Sequence, residues 1–201
     1  MKPTLFDIDM KVFVDWKAGV QVGGHADFTV PVGGRPTLFM LARHGETKLN
    51  KSTEDSTERV RGWKDIPLDE NGKKDAVKLA YAIRKAGIQC IYSSDLERAA
   101  ETARIVNKVL RVPLTLIRGL RPWNVGDFTG QETKVVGPKM EALALHRPDE
   151  KAPGGESFNQ FKDRTQHAIE DLLADHRREY VLVVTHHRVE RLCAAWQAEQ
   201  K

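Results

Sequence analysis

Three short blocks of this 201-residue chain carry residue types that can bind and transform an anion. Arg43-His44-Gly45-Glu46-Thr47 follows the apolar run Leu38 to Ala42, Ser93-Ser94 precedes Arg98, and Thr185-His186-His187-Arg188 follows the apolar run Tyr180 to Val184. A guanidinium stays charged at any working pH and grips phosphate through a two-pronged fork, which suits Arg43 and Arg98 to hold a phosphoryl group and to stabilise charge as it is transferred. Their positive field disfavours imidazolium, so His44 is expected neutral, with a lone pair for attack. A lone His or Arg is more often a surface or satisfied core residue. Two of each, at the ends of three predicted strands, argue instead for one pocket.

The elements that must position these residues follow from periodicity. From Leu38 onward, short apolar runs alternate with helical spacing, the pattern of a parallel α/β sheet, and in such sheets functional residues lie just past the carboxyl ends of the strands. Strands are predicted at 38–42, 89–93, 113–117 and 180–185. Helices are predicted from Asp69 as N-cap to about Lys85, from a Ser94/Glu97 capping box through Leu110, over 134–146 and 158–176, and around Val189, Leu192, Cys193 and Trp196. Residues 1–36 read as a separate extension with two alternating segments, Lys11 to Trp16 and Ala26 to Val32, leading through Gly33-Gly34-Arg35-Pro36 into residues 37–201.

Composition narrows the class of function. The 32 basic and 28 acidic residues are interleaved for a net charge of +4, with no like-charge block or aromatic-basic pattern that argues for nucleic acid. No apolar run approaches the roughly 20 residues of a membrane span, and two aspartates within the first ten residues argue against a secretion signal. Cys90 and Cys193 lack metal-ligand spacing and read as buried free thiols, for which a reducing cytoplasm is the natural compartment. No metal is expected, because the acidic residues do not cluster around the histidines, and no cofactor is expected either.

Taken in order, the blocks resemble the histidine phosphatase superfamily, whose members include phosphoglycerate mutases. The resemblance rests on Arg43-His44-Gly45-Glu46-Thr47 with Asn50, then Arg59, Gly62-Trp63, Asp65, Pro67-Leu68 and Gly72, then Ser93-Ser94 with Arg98-Ala99, then Pro153, Gly155-Glu156-Ser157, and Thr185-His186. It covers roughly residues 37–196. It implies a doubly wound, mostly parallel sheet with helices on both faces, and phosphoryl transfer through a phosphohistidine on His44 with a small phosphorylated substrate. Arg43, Arg98 and His186 would cradle the phosphoryl group, Gly45 would let the backbone approach it, and Asn50 and Arg59 would be secondary phosphate or loop contacts.

The chain departs from the family where members commonly carry Leu-x-Glu-x-x-x-Gly after the third strand, with the glutamate protonating the leaving group. Here Pro122 stands at that place, and proline has no proton to give. Asp127, the nearest carboxylate in sequence, and His187, which stands where the family commonly has glycine, are the candidate substitutes. The alternatives to a phosphatase are a catalytically weak phosphate-binding or interaction module of the same fold and, less favoured, a phosphoglycerate mutase, whose longer insertion before the second histidine is lacking. Family members also continue past the last helix into a further strand, so the domain is expected to be short at its C-terminus, and the N-terminal segments are expected to form a hairpin covering the sheet edge or flank. Rival readings of those segments are a homodimer contact, an appended segment or a disordered arm. Deleting residues 1–35 is expected to reduce solubility or lower the melting temperature; an unchanged, monomeric and active protein would exclude structural cover.

Overall fold

Alternate residues of two central strands feed two separate cores. Phe39, Leu41, Val181 and Val183 point to one face of the sheet, and Met40, Ala42, Leu182 and Val184 to the other. A strand buried on both faces reads as a continuous apolar run, which is why 38–42 and 180–184 show no polar alternation. The structure is a computed structural model describing residues 12–14, 38–50, 57–176 and 179–198.

The strands are β1 (Val12–Val14), β2 (Leu38–Arg43), β3 (Cys90–Ser94), β4 (Leu114–Ile117) and β5 (Tyr180–Thr185), in spatial order β1-β2-β5-β3-β4, and every pairing is parallel. The helices are α1 (Glu70–Ile83), α2 (Glu97–Leu110), α3 (Thr133–His146), α4 (Phe158–Asp175) and α5 (His187–Ala198). Helices α1 and α2 cover the Met40 face through Leu79, Ala80, Ile83, Ala99, Ala103 and Val106. The other three cover the Phe39 face through Val136, Met140, Phe161, Ile169, Leu172, Val189 and Cys193. This is the doubly wound arrangement that the family resemblance implies. Among the described residues no helix is long and apolar enough to cross a membrane.

Most predicted boundaries hold within two or three residues. Asp69 caps α1 by accepting the Gly72 N–H at 2.8 Å, and Ser157 with Gln160 forms a reciprocal capping box on α4. The capping box predicted at Ser94/Glu97 does not form. Helix α2 starts after Leu96, the Glu97 N–H donates to Asp65 Oδ1 from a distant loop at 2.7 Å, and the Ser94 hydroxyl faces His186 instead. At the sheet edge, β1 pairs with β2 over Val12↔Met40 to Val14↔Ala42; the second N-terminal segment, and with it the predicted hairpin, lies outside the described residues.

Phe161 is fully buried on α4, in edge contact with Phe158 and against the core of the Phe39 face. Phe161→Ala removes a large side chain from a close-packed region and is expected to cost about 3–5 kcal/mol. Urea unfolding should show this as a lowered midpoint with an unchanged slope.

Candidate active site

The carboxyl ends of β2, β5 and β3 lie side by side, with Arg43 in register with Thr185 and Ser93 with Val184. His44 continues β2 for one more ladder bond, its N–H donating to the Thr185 carbonyl at 3.0 Å. This brings the His44 and His186 rings to 5.1 Å between centroids, and both side chains are enclosed, at 2% and 3% exposure. His44 Nδ1 lies 2.7 Å from the Gly45 carbonyl oxygen. A carbonyl only accepts, so the proton is on Nδ1 and the lone pair on Nε2. His186 Nε2 meets the Ser94 hydroxyl at 2.9 Å, while its Nδ1 is buried without a partner.

Arg98 projects from the first turn of α2 and is 1% exposed. Its two terminal nitrogens donate to the Lys64 and Gly62 carbonyls, both at 3.0 Å, and its Nε has no partner. Burial first, then Arg61 and Arg43, lower its pKa to about 9. Arg61 is brought down to about 10 by burial and then by Arg43, against the opposing pull of Glu58. Both remain cationic at neutral pH. Burial, followed by these guanidinium charges, pushes His44 and His186 well below the ordinary histidine range, so both imidazoles are neutral there.

These groups surround an open cleft of about 670 Å³, a space that includes its solvent-filled mouth. Among the described residues, five arginines line it (Arg43, Arg59, Arg61, Arg98 and Arg188) with one carboxylate, Glu58. The described part of the lining therefore favours anions. Arg43, His44, Arg59, Arg98, His186 and His187 all reach the cleft, as does Pro122. Arg59 also donates to the Gly130 carbonyl at 2.8 Å, and Arg188 stacks over the Trp123 ring.

Three expected site residues are placed elsewhere. Asn50 is not in the cleft lining; its Oδ1 accepts the N–H and the hydroxyl of Thr47, closing the loop after β2. Asp127 is exposed and absent from the lining, and a Cβ added to Gly154 would lie 2.8 Å from its Oδ1. Gly45 is required for loop packing: a Cβ there would lie 2.4 Å from the Gly72 carbonyl oxygen, and one on Gly72 would lie 2.2 Å from that of Glu46. Two backbones cross at van der Waals contact, so glycine is needed on both sides. The Gly45 N–H is held by the Thr102 hydroxyl, which itself bonds to the Arg98 carbonyl, linking the loop to α2.

Sequence reading missed Arg61 and Glu58. The legible signal for Arg61 was the alternation Arg59-Val60-Arg61, which in extended chain sends both arginines the same way; Glu58 had no comparable signal. Also unforeseen is the clamp that sets the Pro122 loop. Arg164 of α4 donates to the Gly119, Arg121 and Pro122 carbonyls and pairs with Glu156, whose carboxylate also receives the Asn124 N–H.

Residues 39–200 match the model of the histidine phosphatase superfamily, branch 1, and the chain belongs to that family. It is 35% identical over 164 residues to a metal-independent phosphoserine phosphatase of Arabidopsis thaliana, covering 78% of this chain and 67% of that protein. It is 34% identical over 155 residues to the phosphoglycerate mutase-like protein 4 of the same organism, covering 74% of this chain and 65% of the relative. The chain thus spans about two thirds of the length of these relatives. Among solved structures, Bacillus stearothermophilus YhfR is similar with a TM-score of 0.67 and 32% identity, over 81% of this chain and 80% of that one.

The depressed histidine pKa values make stability depend on pH. Below about 6.5 the unfolded chain takes up protons that folded His44 and His186 refuse, so their full contribution is present above that pH and is lost as pH falls toward the folded values. The urea midpoint should drop between pH 7 and pH 5, and the drop should be smaller in His186→Gln.

Proposed function

We infer that the protein is a phosphatase that hydrolyses small phosphorylated molecules through a phosphohistidine on His44. The observation that carries this reading is the His44 tautomer, pinned by the Gly45 carbonyl so that the lone pair is on Nε2, in a cleft walled by Arg43, Arg61 and Arg98. In the first step Nε2 attacks phosphorus, the N–P bond forms and the P–O bond to the leaving group breaks. The guanidiniums neutralise the equatorial oxygens as charge spreads over them, and the partnerless Nε donors of Arg43 and Arg98 suit those oxygens. Water then attacks phosphorus, the N–P bond breaks, and phosphate leaves with His44 restored to its neutral form.

The relative named as a phosphoserine phosphatase supports a small phosphorylated substrate. Arg59 and Arg188 in the lining suit a second anionic group on that substrate, such as a carboxylate. The weak point of the chemistry is the leaving oxygen. Pro122 lines the cleft with no proton to give, Asp127 is not in the described lining, and Glu58 and His187 are among the described lining groups able to carry a proton to an alkoxide. General acid catalysis is typically worth about 10²–10⁴-fold, so this feature favours a second reading, a phosphate-binding module that turns over feebly.

Hydrolysis of aryl and alkyl phosphates separates the two readings. An enzyme should cleave an aryl phosphate, form an acid-labile phosphoenzyme and lose both properties in His44→Ala; undiminished turnover by that variant would refute the mechanism. Rates should fall steeply as leaving-group pKa rises, and Pro122→Glu should flatten the dependence. Phosphate binding without aryl phosphate turnover would establish the module instead.

A further inference from the structure

At the opposite end of the sheet from the cleft, three residues distant in sequence converge. Cys90 opens β3, and His176 and Glu179 lie in the connection between α4 and β5. Ser94, at the catalytic end of the same strand, is four residues further on, about 13 Å at strand rise. Cys90 Sγ is 3.8 Å from His176 Nδ1, Glu179 Oε2 is 2.6 Å from the same nitrogen, and the three ligand atoms lie within 4.8 Å of one another. His176 Nε2 meets the Tyr92 hydroxyl at 2.5 Å.

Two uses of a thiol, an imidazole and a carboxylate in contact must be distinguished. A nucleophilic triad has the thiol on one ring nitrogen and the orienting carboxylate on the other. Here thiol and carboxylate both face Nδ1, so Glu179 cannot orient the ring toward the sulfur. Burial, reinforced by the Glu179 charge, also raises the Cys90 thiol to about 11, the reverse of an activated cysteine. Convergence of sulfur, nitrogen and oxygen on one point is the arrangement of metal ligands. With Zn–S near 2.3 Å and Zn–N and Zn–O near 2.0–2.2 Å, tetrahedral angles place ligand atoms roughly 3.4–3.6 Å apart. The sulfur to nitrogen separation already approximates this. Glu179 must move back by about 0.8 Å, the difference between its hydrogen bond and that spacing.

We propose that Cys90, His176 and Glu179 form a three-ligand zinc site, with Tyr92 as the outer partner that fixes the His176 ring. Thiolate and carboxylate together balance the dication, and the mixed sulfur, nitrogen and oxygen set suits a borderline-soft ion with water as fourth ligand. Binding releases the Cys90 proton. It also requires His176 to carry its proton on Nε2, where the Tyr92 oxygen accepts it, leaving the Nδ1 lone pair for the metal. The ion would tie the first residue of β3 to the α4–β5 connection, a structural role separate from the phosphatase reading.

The test uses the full-length protein, stripped with a chelator and titrated with Zn²⁺ and with Co²⁺ as the spectroscopic probe. One equivalent of Co²⁺ should give a thiolate charge-transfer band with tetrahedral visible absorption, and excess Zn²⁺ should raise the melting temperature by several degrees. Cys90→Ser should abolish the charge-transfer band, His176→Gln should weaken binding at least tenfold, and Tyr92→Phe about tenfold. Cys193→Ser, altered at the other buried thiol, should bind normally, as should His186→Gln. No charge-transfer band in the wild type, a band surviving Cys90→Ser, or binding lost in His186→Gln instead would each overturn the proposal. If Cys90→Ser fails to fold, His176→Gln decides it, since undiminished binding by that variant excludes the site.

Discussion

Arg98 is a charged group with almost no access to water, and its guanidinium is held by two backbone carbonyls, those of Gly62 and Lys64. Burying an ion is costly unless its hydrogen bonds are met, so these carbonyls must be delivered to it. That requirement shapes the 57–68 segment. Gly62 turns there with φ +45°, and the same segment sends Asp65 to cap α2 and the Leu68 N–H to Glu101. Burial of the two imidazoles, reinforced by the charges of Arg98, Arg61 and Arg43, keeps both neutral. Housing this one buried cation thus also fixes the segment that brings Arg61 and Glu58 to the cleft.

Two further devices keep the cleft in shape. The loop after β2 is pressed against the first turn of α1 at the Gly45 and Gly72 crossing, and Thr102 bonds it to α2. The wall that carries Pro122 is held by Arg164 and Glu156, reinforced by the Trp63 indole donating to the Pro122 carbonyl and by the Arg121 pairing with Asp95. Both Arg164 and Trp63 donate to the Pro122 carbonyl, which anchors the loop in the cleft wall.

Parallel strands give the sheet two chemically different ends. Every carboxyl end points the same way, so residues just past β2, β3 and β5 gather into one cationic cleft, while the amino ends and the helix-to-strand connections gather at the other. Cys90, His176, Glu179 and Tyr92 belong to that second end. Separation by the length of a strand, about 13 Å from Cys90 to Ser94, keeps these groups apart from the cleft.

The sequence by itself determined the strand order along the chain, the helices between strands, and the placement of Arg43, His44, Arg98 and His186 at strand ends, because apolar periodicity and strand-end position are local properties. It also exposed Pro122 at the position where the family resemblance implies a glutamate. Tertiary structure alone decided the rest. Ser94 looked like a cap because spacing is local, yet its hydroxyl is engaged by a histidine 92 residues away and Asp65 takes over the capping. Gly45 proved necessary for a backbone crossing with Gly72, and Asp127, close to Pro122 in sequence, is exposed and absent from the cleft lining. Arg61 and Glu58 enter the cleft because the 57–68 segment folds over Arg98, and Cys90 meets His176 and Glu179 because β3 and β5 pair. Such meetings depend on contacts between residues far apart in the chain, which no local pattern of residue types encodes.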